Sequence, residues 1–370
     1  MQHGNYEMAL QQATALDRRN REDGSRLMAL GEQALQNGYY EIAAKAFEYV
    51  KAKGPDNFHY IAAVGGMLRA LKLQVTRGAI EKPSVDALVK AYDDALNELG
   101  KGAATAPLIV DLAHVKAFYQ SRFDPQAVSQ AEELLREGLK IPGLSKRNEA
   151  EMKLELGDVL ILQNDIWEAS ILFGQVENDF KYDEIGFTAK LKNAMVFYYA
   201  GDFEWAEAKL RVLKGSTSKL IANDALELSA FIAENLSTDT TGEALKQFAK
   251  TELLMAQHKY DSALLVLNDI ETNHPYHEIS DDIMFRRAEI FRQQGRYNDA
   301  ATTFEKLTTD FPNSILVDNA LMEAASLYEH TLNQPERAME LYLKIISEHP
   351  SSLFVVEARK RYRSLRGDSL

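Results

Sequence analysis

Asp281 to Pro312 reads DDIMFRRAEIFRQQGRYNDAATTFEKLTTDFP, and this stretch decides the fold. Met284, Arg287, Ala288 and Phe291 recur at intervals of three, one and three, so they share one face of a helix. Gly295 breaks that helix, and Tyr297, Ala300, Phe304, Leu307 and Pro312 set out a second. The pattern is a helix-turn-helix unit, and it recurs. A unit of this kind cannot bury its apolar face alone and must stack on its neighbours, which predicts an elongated solenoid with a binding function.

Working outward, Ala263, Ala300 and Ala338 lie 37 and 38 residues apart, as do Pro275, Pro312 and Pro350. Each Pro closes a similar phrase, ETNHPYHEI, TTDFPNSIL or SEHPSSLF. Proline stops the second helix because it lacks an N–H and disfavours helix in the residue before it. A further complete unit runs from Ser25 to Pro55. Leu27, Leu30, Gly31 and Ala34 line its first helix, Gly38 turns the chain, and Ala43, Phe47 and Val50 line its second. Small residues at Gly31 and Ala43 are expected to let the two helices approach; a larger side chain there would cost about 1–3 kcal/mol.

This order, with Leu27 and Ala34 as its departures, resembles the tetratricopeptide repeat (TPR). The 37 to 38 residue spacing and the D-F-P-N-S linker resemble the variant found in bacterial envelope proteins, such as outer-membrane assembly lipoproteins and the periplasmic partner of the Tol-Pal system. The phrases ALDRRN, ANDALELS and VVEARKRYRSLRGD are similar to the C-terminal part of long repeat proteins of Bacteroidetes-type bacteria. Members of that group generally carry export signals, so the resemblance implies the periplasm or cell envelope, with the cytoplasm as the alternative.

The implied fold is all-α: a right-handed TPR superhelix, or α-solenoid, of about eight helix-turn-helix units with a C-terminal capping helix. Gly4, Tyr6 and Ala9 sit 34 residues before Gly38, Tyr40 and Ala43, so residues 1–18 read as the second helix of a truncated repeat. The chain therefore reads as the C-terminal piece of a longer protein. Repeats follow at 24–57, at 58–100 with a loop insertion from Gly78 to Pro83, and at 105–143, the last two degenerate. Further repeats are placed at 148–181 and 187–216, then an unpaired helix at 219–236. The final repeats are 242–278, 281–314 and 318–351, closed by a capping helix at 352–366 whose Arg359, Lys360, Arg361, Arg363 and Arg366 face water.

Bulk properties agree with a folded helical chain: 46% hydrophobic, 26% charged, 9 Pro and 20 Gly in 370 residues. The formal charge of -13 argues against a nucleic-acid partner and favours basic ones. Without cysteine there is no disulfide, Cys-zinc site or Cys nucleophile. No stretch approaches the roughly 18 apolar residues of a membrane span.

No catalytic, cofactor or metal residues are expected. His274, His277, Asp281 and Asp282 form the most metal-like cluster, but Pro275 reads as a helix stop and Asp281 or Ser280 as the cap of the next helix. Gly100, Lys101 and Gly102 lack phosphate-loop spacing, and pairs such as Asp93 and Asp94, or Glu132 and Glu133, are adjacent on helices and diverge.

In TPR superhelices the first, or A, helix of each unit lines the concave surface. The protein-binding candidates are therefore Tyr198 and Tyr199, then Phe285, Arg286, Glu289, Arg292 and Gln293, and finally Met322, Ser326 and Glu329. The Lys and Asn pattern of the carboxylate clamp in chaperone-binding relatives does not recur. The expectation is a non-catalytic scaffold that binds peptide or protein segments in its groove, within a cell-envelope assembly. The alternatives are a regulatory or substrate-recruiting arm of a larger enzyme or signalling protein, and a cytosolic peptide-sensing switch.

Overall fold

Six of the hairpins turn on one residue in the left-handed backbone region. A computed structural model of the chain describes residues 3–77, 80–215, 218–239, 241–275 and 277–368. Among them, Gly38, Asn164, Gly201, His258, Gly295 and Asn333 have φ of +81, +69, +78, +58, +75 and +51°. Each stands five residues before the small alanine of the following helix: Ala43, Ala169, Ala206, Ala263, Ala300 and Ala338, all fully buried. At five of the six turns the next N–H reaches back five residues to a helix carbonyl, as in Tyr39 N to Ala34 O (2.8 Å) and Arg296 N to Phe291 O (2.8 Å). This is a Schellman-type stop. In the last turn Gln334 N instead reaches Tyr328 O, one residue further, which accounts for the 38-residue interval before Ala338.

The described residues form nineteen α-helices and no strand. The helices divide between two units, with the boundary in the chain between Phe180 and Lys181. The first holds α1 (His3–Asn20), α2 (Ser25–Gln36), α3 (Tyr40–Lys51), α4 (Tyr60–Arg77), α5 (Lys82–Leu99), α6 (Ala106–Phe118), α7 (Ala127–Gly138), α8 (Lys146–Leu162) and α9 (Ile166–Asp179). The second holds α10 (Glu184–Tyr199), α11 (Phe203–Leu213), α12 (Lys219–Thr238), α13 (Glu243–Ala256), α14 (Tyr260–Asn273), α15 (Ser280–Gln293), α16 (Tyr297–Asp310), α17 (Val317–His330), α18 (Pro335–Glu348) and α19 (Val355–Arg366). Within each unit, consecutive helices pack as antiparallel hairpins that stack on one another, the all-α solenoid organisation.

In the first unit, α1 lays Tyr6 and Leu10 against Leu27, Ala43, Phe47 and Val50 of the α2–α3 hairpin. The Asp17 carboxylate on α1 is fully buried, where it accepts a hydrogen bond from Tyr49 and pairs with Lys53. In the second unit, α12 stands outside the hairpin rhythm: α10 touches α13 directly, and α12 packs beside both. At the C-terminal end, Val355 and Ala358 of α19 bury against α17 and α18, with Tyr362 partly buried beside them.

Three local expectations are corrected. Pro83 opens α5 instead of lying in an inserted loop, because the first turn of a helix has no use for its missing N–H; Gly78 and Ala79 of that loop fall outside the described residues. Neither Asp281 nor Ser280 caps α15. His277 makes the entry instead, its Nδ1 accepting from Ile279 N (3.1 Å) and its carbonyl accepting from Ser280 Oγ (2.6 Å). Arg361 does not simply face water: it is half-buried and pairs with Glu357 (2.8 Å) and with Glu329 on α17 (3.5 Å).

Candidate functional site

Arginine–glutamate pairs knit corresponding helices of neighbouring repeats in the second unit. Arg286 on α15 reaches Glu252 on α13 (2.7 Å) and Glu289 one turn along its own helix (2.6 Å). Arg292 reaches Glu323 on α17 (2.7 Å) and also lies near Glu289 (3.8 Å). Glu329 accepts a hydrogen bond from Tyr342 (2.7 Å) and faces Arg361 on α19. Arg286, Glu289, Arg292 and Glu329, expected on the exposed face of the A helices, also take part in these ion pairs, because an A helix must grip the A helices on either side.

Tyr198 is likewise corrected. It is fully buried in the core shared by α10, α11 and α13, 5.9 Å from the ring of Phe203. Burial, reinforced by the charge of Glu252, pushes its phenol well above the ordinary value. Tyr199 is half-buried beside it, Phe285 packs edge-on against Phe304 at 5.1 Å, and Met322 is half-buried against the core of the last repeats. Gln293 is exposed, and Ser326 is half-buried.

The structure brings Phe285 and Arg286 into one place. They line a cleft of about 620 Å³, whose walls come from α10, α12, α13, α15 and the start of α17. Met195, Leu228, Phe231, Phe285, Ile315 and Leu316 supply its apolar surface. Against this stand the acidic side chains of Asp224, Glu227 and Glu234 on α12, Glu278 before α15, and Asp281 and Asp282 on α15. Burial, then the neighbouring Asp281 charge, pushes the Asp282 carboxyl up to about 8. Burial opposes the charge of Arg286, yet Glu252 and Glu289 together hold its guanidinium above the usual range.

The α12 wall was missed by sequence reasoning although a signal existed. Asp224, Glu227, Leu228 and Phe231 fall at i, i+3, i+4 and i+7, which is one face of one helix. His274 and His277, by contrast, belong to no group of three or more metal-ligating side chains among the described residues.

A model described as tetratricopeptide repeat matches residues 282–314 and 319–352, the α15–α16 and α17–α18 hairpins. The chain carries tetratricopeptide repeats. Among solved structures it is similar to a tetratricopeptide repeat protein from Parabacteroides merdae, at 14% identity and TM-score 0.40, over 82% of this chain and 98% of that one. It is also similar to a chain in the structure of Naa15/Naa10 bound to HypK-THB, at 15% identity and TM-score 0.33, over 93% of this chain and 45% of that one. No curated protein matches the sequence. Tetratricopeptide units serve as surfaces for protein partners, and no described helix is long and apolar enough to cross a membrane.

Proposed function

We propose that the chain is a non-catalytic interaction scaffold that holds segments of partner proteins against its A-helix surface, as part of a bacterial cell-envelope assembly in the periplasm. One observation carries the binding half of this reading: the cleft walled by α10, α12, α13, α15 and α17 combines apolar side chains with polar ones in a volume of about 620 Å³. That size and mixture suit a few residues of a bound chain. Its walls are held by the Arg286 pairs to Glu252 and Glu289, so a partner meets a formed surface and the ordering cost to the scaffold is small. The envelope half rests on the D-F-P-N-S linker and the ANDALELS and VVEARKRYRSLRGD phrases, which resemble exported repeat proteins.

A photo-reactive amino acid at Ile315, which lines the cleft and is 82% exposed, tests the binding surface against the same probe at Leu265 on α14, 66% exposed. Partner adducts in the native cell are expected from Ile315. Adducts from Leu265 alone would move binding to the B-helix side. Recovery of the native full-length protein from the cytosolic fraction would remove the envelope part of the proposal and leave the scaffold.

A further inference from the structure

The cleft is lopsided in charge. Asp224, Glu227, Glu234, Glu278, Asp281 and Asp282 line it, and none of the six forms an ion pair among the described residues. Among the described residues Arg286 is the one cationic side chain on the wall, and it is already committed to Glu252 and Glu289. Elsewhere in the second unit glutamates are regularly answered, as Glu271 is by Arg287, Glu305 by Arg337 and Glu323 by Arg292. An unanswered set on a concave, partly apolar surface raises the local negative potential.

A second feature of the wall points the same way. Asn235 on α12 lines the cleft and is only 2% exposed. Its Nδ2 donates to Phe231 O (3.0 Å), which fixes the orientation of the amide. Its Oδ1 is then left buried with no donor. A buried acceptor without a donor is unfavourable and is relieved by an incoming N–H.

Building on the scaffold reading, we propose that this cleft receives an arginine or lysine side chain from a partner segment in which that residue is flanked by aliphatic or aromatic ones. The cation meets the carboxylates of Asp224, Glu227, Glu234, Glu278 and Asp281, and its N–H groups supply the donor that Asn235 Oδ1 lacks. Its methylene stem packs along Leu228 and Met195, and the faces of Phe231 and Phe285 stand at the same wall. A bare polycation would leave the apolar wall uncovered, and an acidic segment would be repelled.

The test is selection from a random dodecapeptide library displayed on phage, run on the whole chain and on a Glu227→Lys/Glu234→Lys variant. Both positions are exposed, so the variant should keep the parent's melting temperature. Enriched peptides are expected to share Arg or Lys beside Leu, Ile or Phe. The most enriched one, synthesised and titrated, should bind the variant about tenfold or more weakly and should weaken with added salt. Enrichment of acidic or uncharged peptides, or undiminished binding to the variant, overturns this inference and leaves the scaffold reading standing. A library from which neither protein enriches any peptide overturns both.

Discussion

A β-carbon built on Gly31 would lie 2.7 Å from the ring of Phe47. The same ring approaches Gly66 on α4, where a β-carbon would lie 2.8 Å away, so Phe47 is gripped from both sides by glycine. The ring of Phe173 crowds Gly157 in the same way within the α8–α9 hairpin. The glycine of the repeat signature therefore makes room for the aromatic of the second helix.

Gly31→Ala should lower stability. Phe47 is fully buried and has nowhere to swing, so overpacking of about 1–3 kcal/mol outweighs the roughly 1 kcal/mol gain in helix propensity. Urea unfolding followed by circular dichroism should show an earlier midpoint. An unchanged midpoint would mean that α2 and α3 separate without penalty.

Gly295→Ala should destabilise for a different reason. No atom lies within 4 Å of a β-carbon there, but φ is +75°, and a left-handed alanine costs about 1–2 kcal/mol. Gly295→Asn should come closer to neutral, since Asn164 and Asn333 hold the matching turns at φ +69 and +51°. Equal melting of the Ala and Asn variants would contradict the conformational account.

Tyr198→Ala and Arg286→Ala should both lower the melting temperature. The first empties a fully buried site, at about 3–5 kcal/mol by analogy with other aromatic truncations. The second leaves Glu252 and Glu289 without their shared cation, at about 1–3 kcal/mol once partial exposure is allowed for. Calorimetry of the single variants checks this, and wild-type melting of either would return that residue to the free surface.

Asp282→Asn should stabilise the second unit more at high pH than at low. The folded carboxyl titrates near 8 against an ordinary 3.8, so the folded chain binds a proton that the unfolded chain has released. Stability from this group is complete below about pH 4, falls as pH rises towards 8, and is level above that. The melting-temperature advantage of the variant should grow across that window, by about 2–4 °C for each kcal/mol. An advantage independent of pH would place the titration elsewhere.

The hairpin was legible because its causes are local. A glycine at the close approach, an aromatic four residues beyond a small alanine, a left-handed turn and a proline stop all lie within one repeat, and each acts through contacts inside that repeat. The surface was less legible. Helical period says which residues share a face, but an A helix has three obligations at once: its own B helix, the neighbouring A helices and the open side. Period places Arg286, Glu289, Arg292 and Glu329 on the open side, while their partners stand 31 to 34 residues away on a neighbouring repeat or one turn along the helix.

The sequence by itself determined the helical hairpin, its repetition and its acidic balance, since these follow from steric and periodic rules between residues close in the chain. Only the tertiary structure decided which charges would be answered and which left open. That choice depends on where α12, the helix without a partner hairpin, comes to rest beside α10 and α13, and such long-range packing has no counterpart in any local pattern.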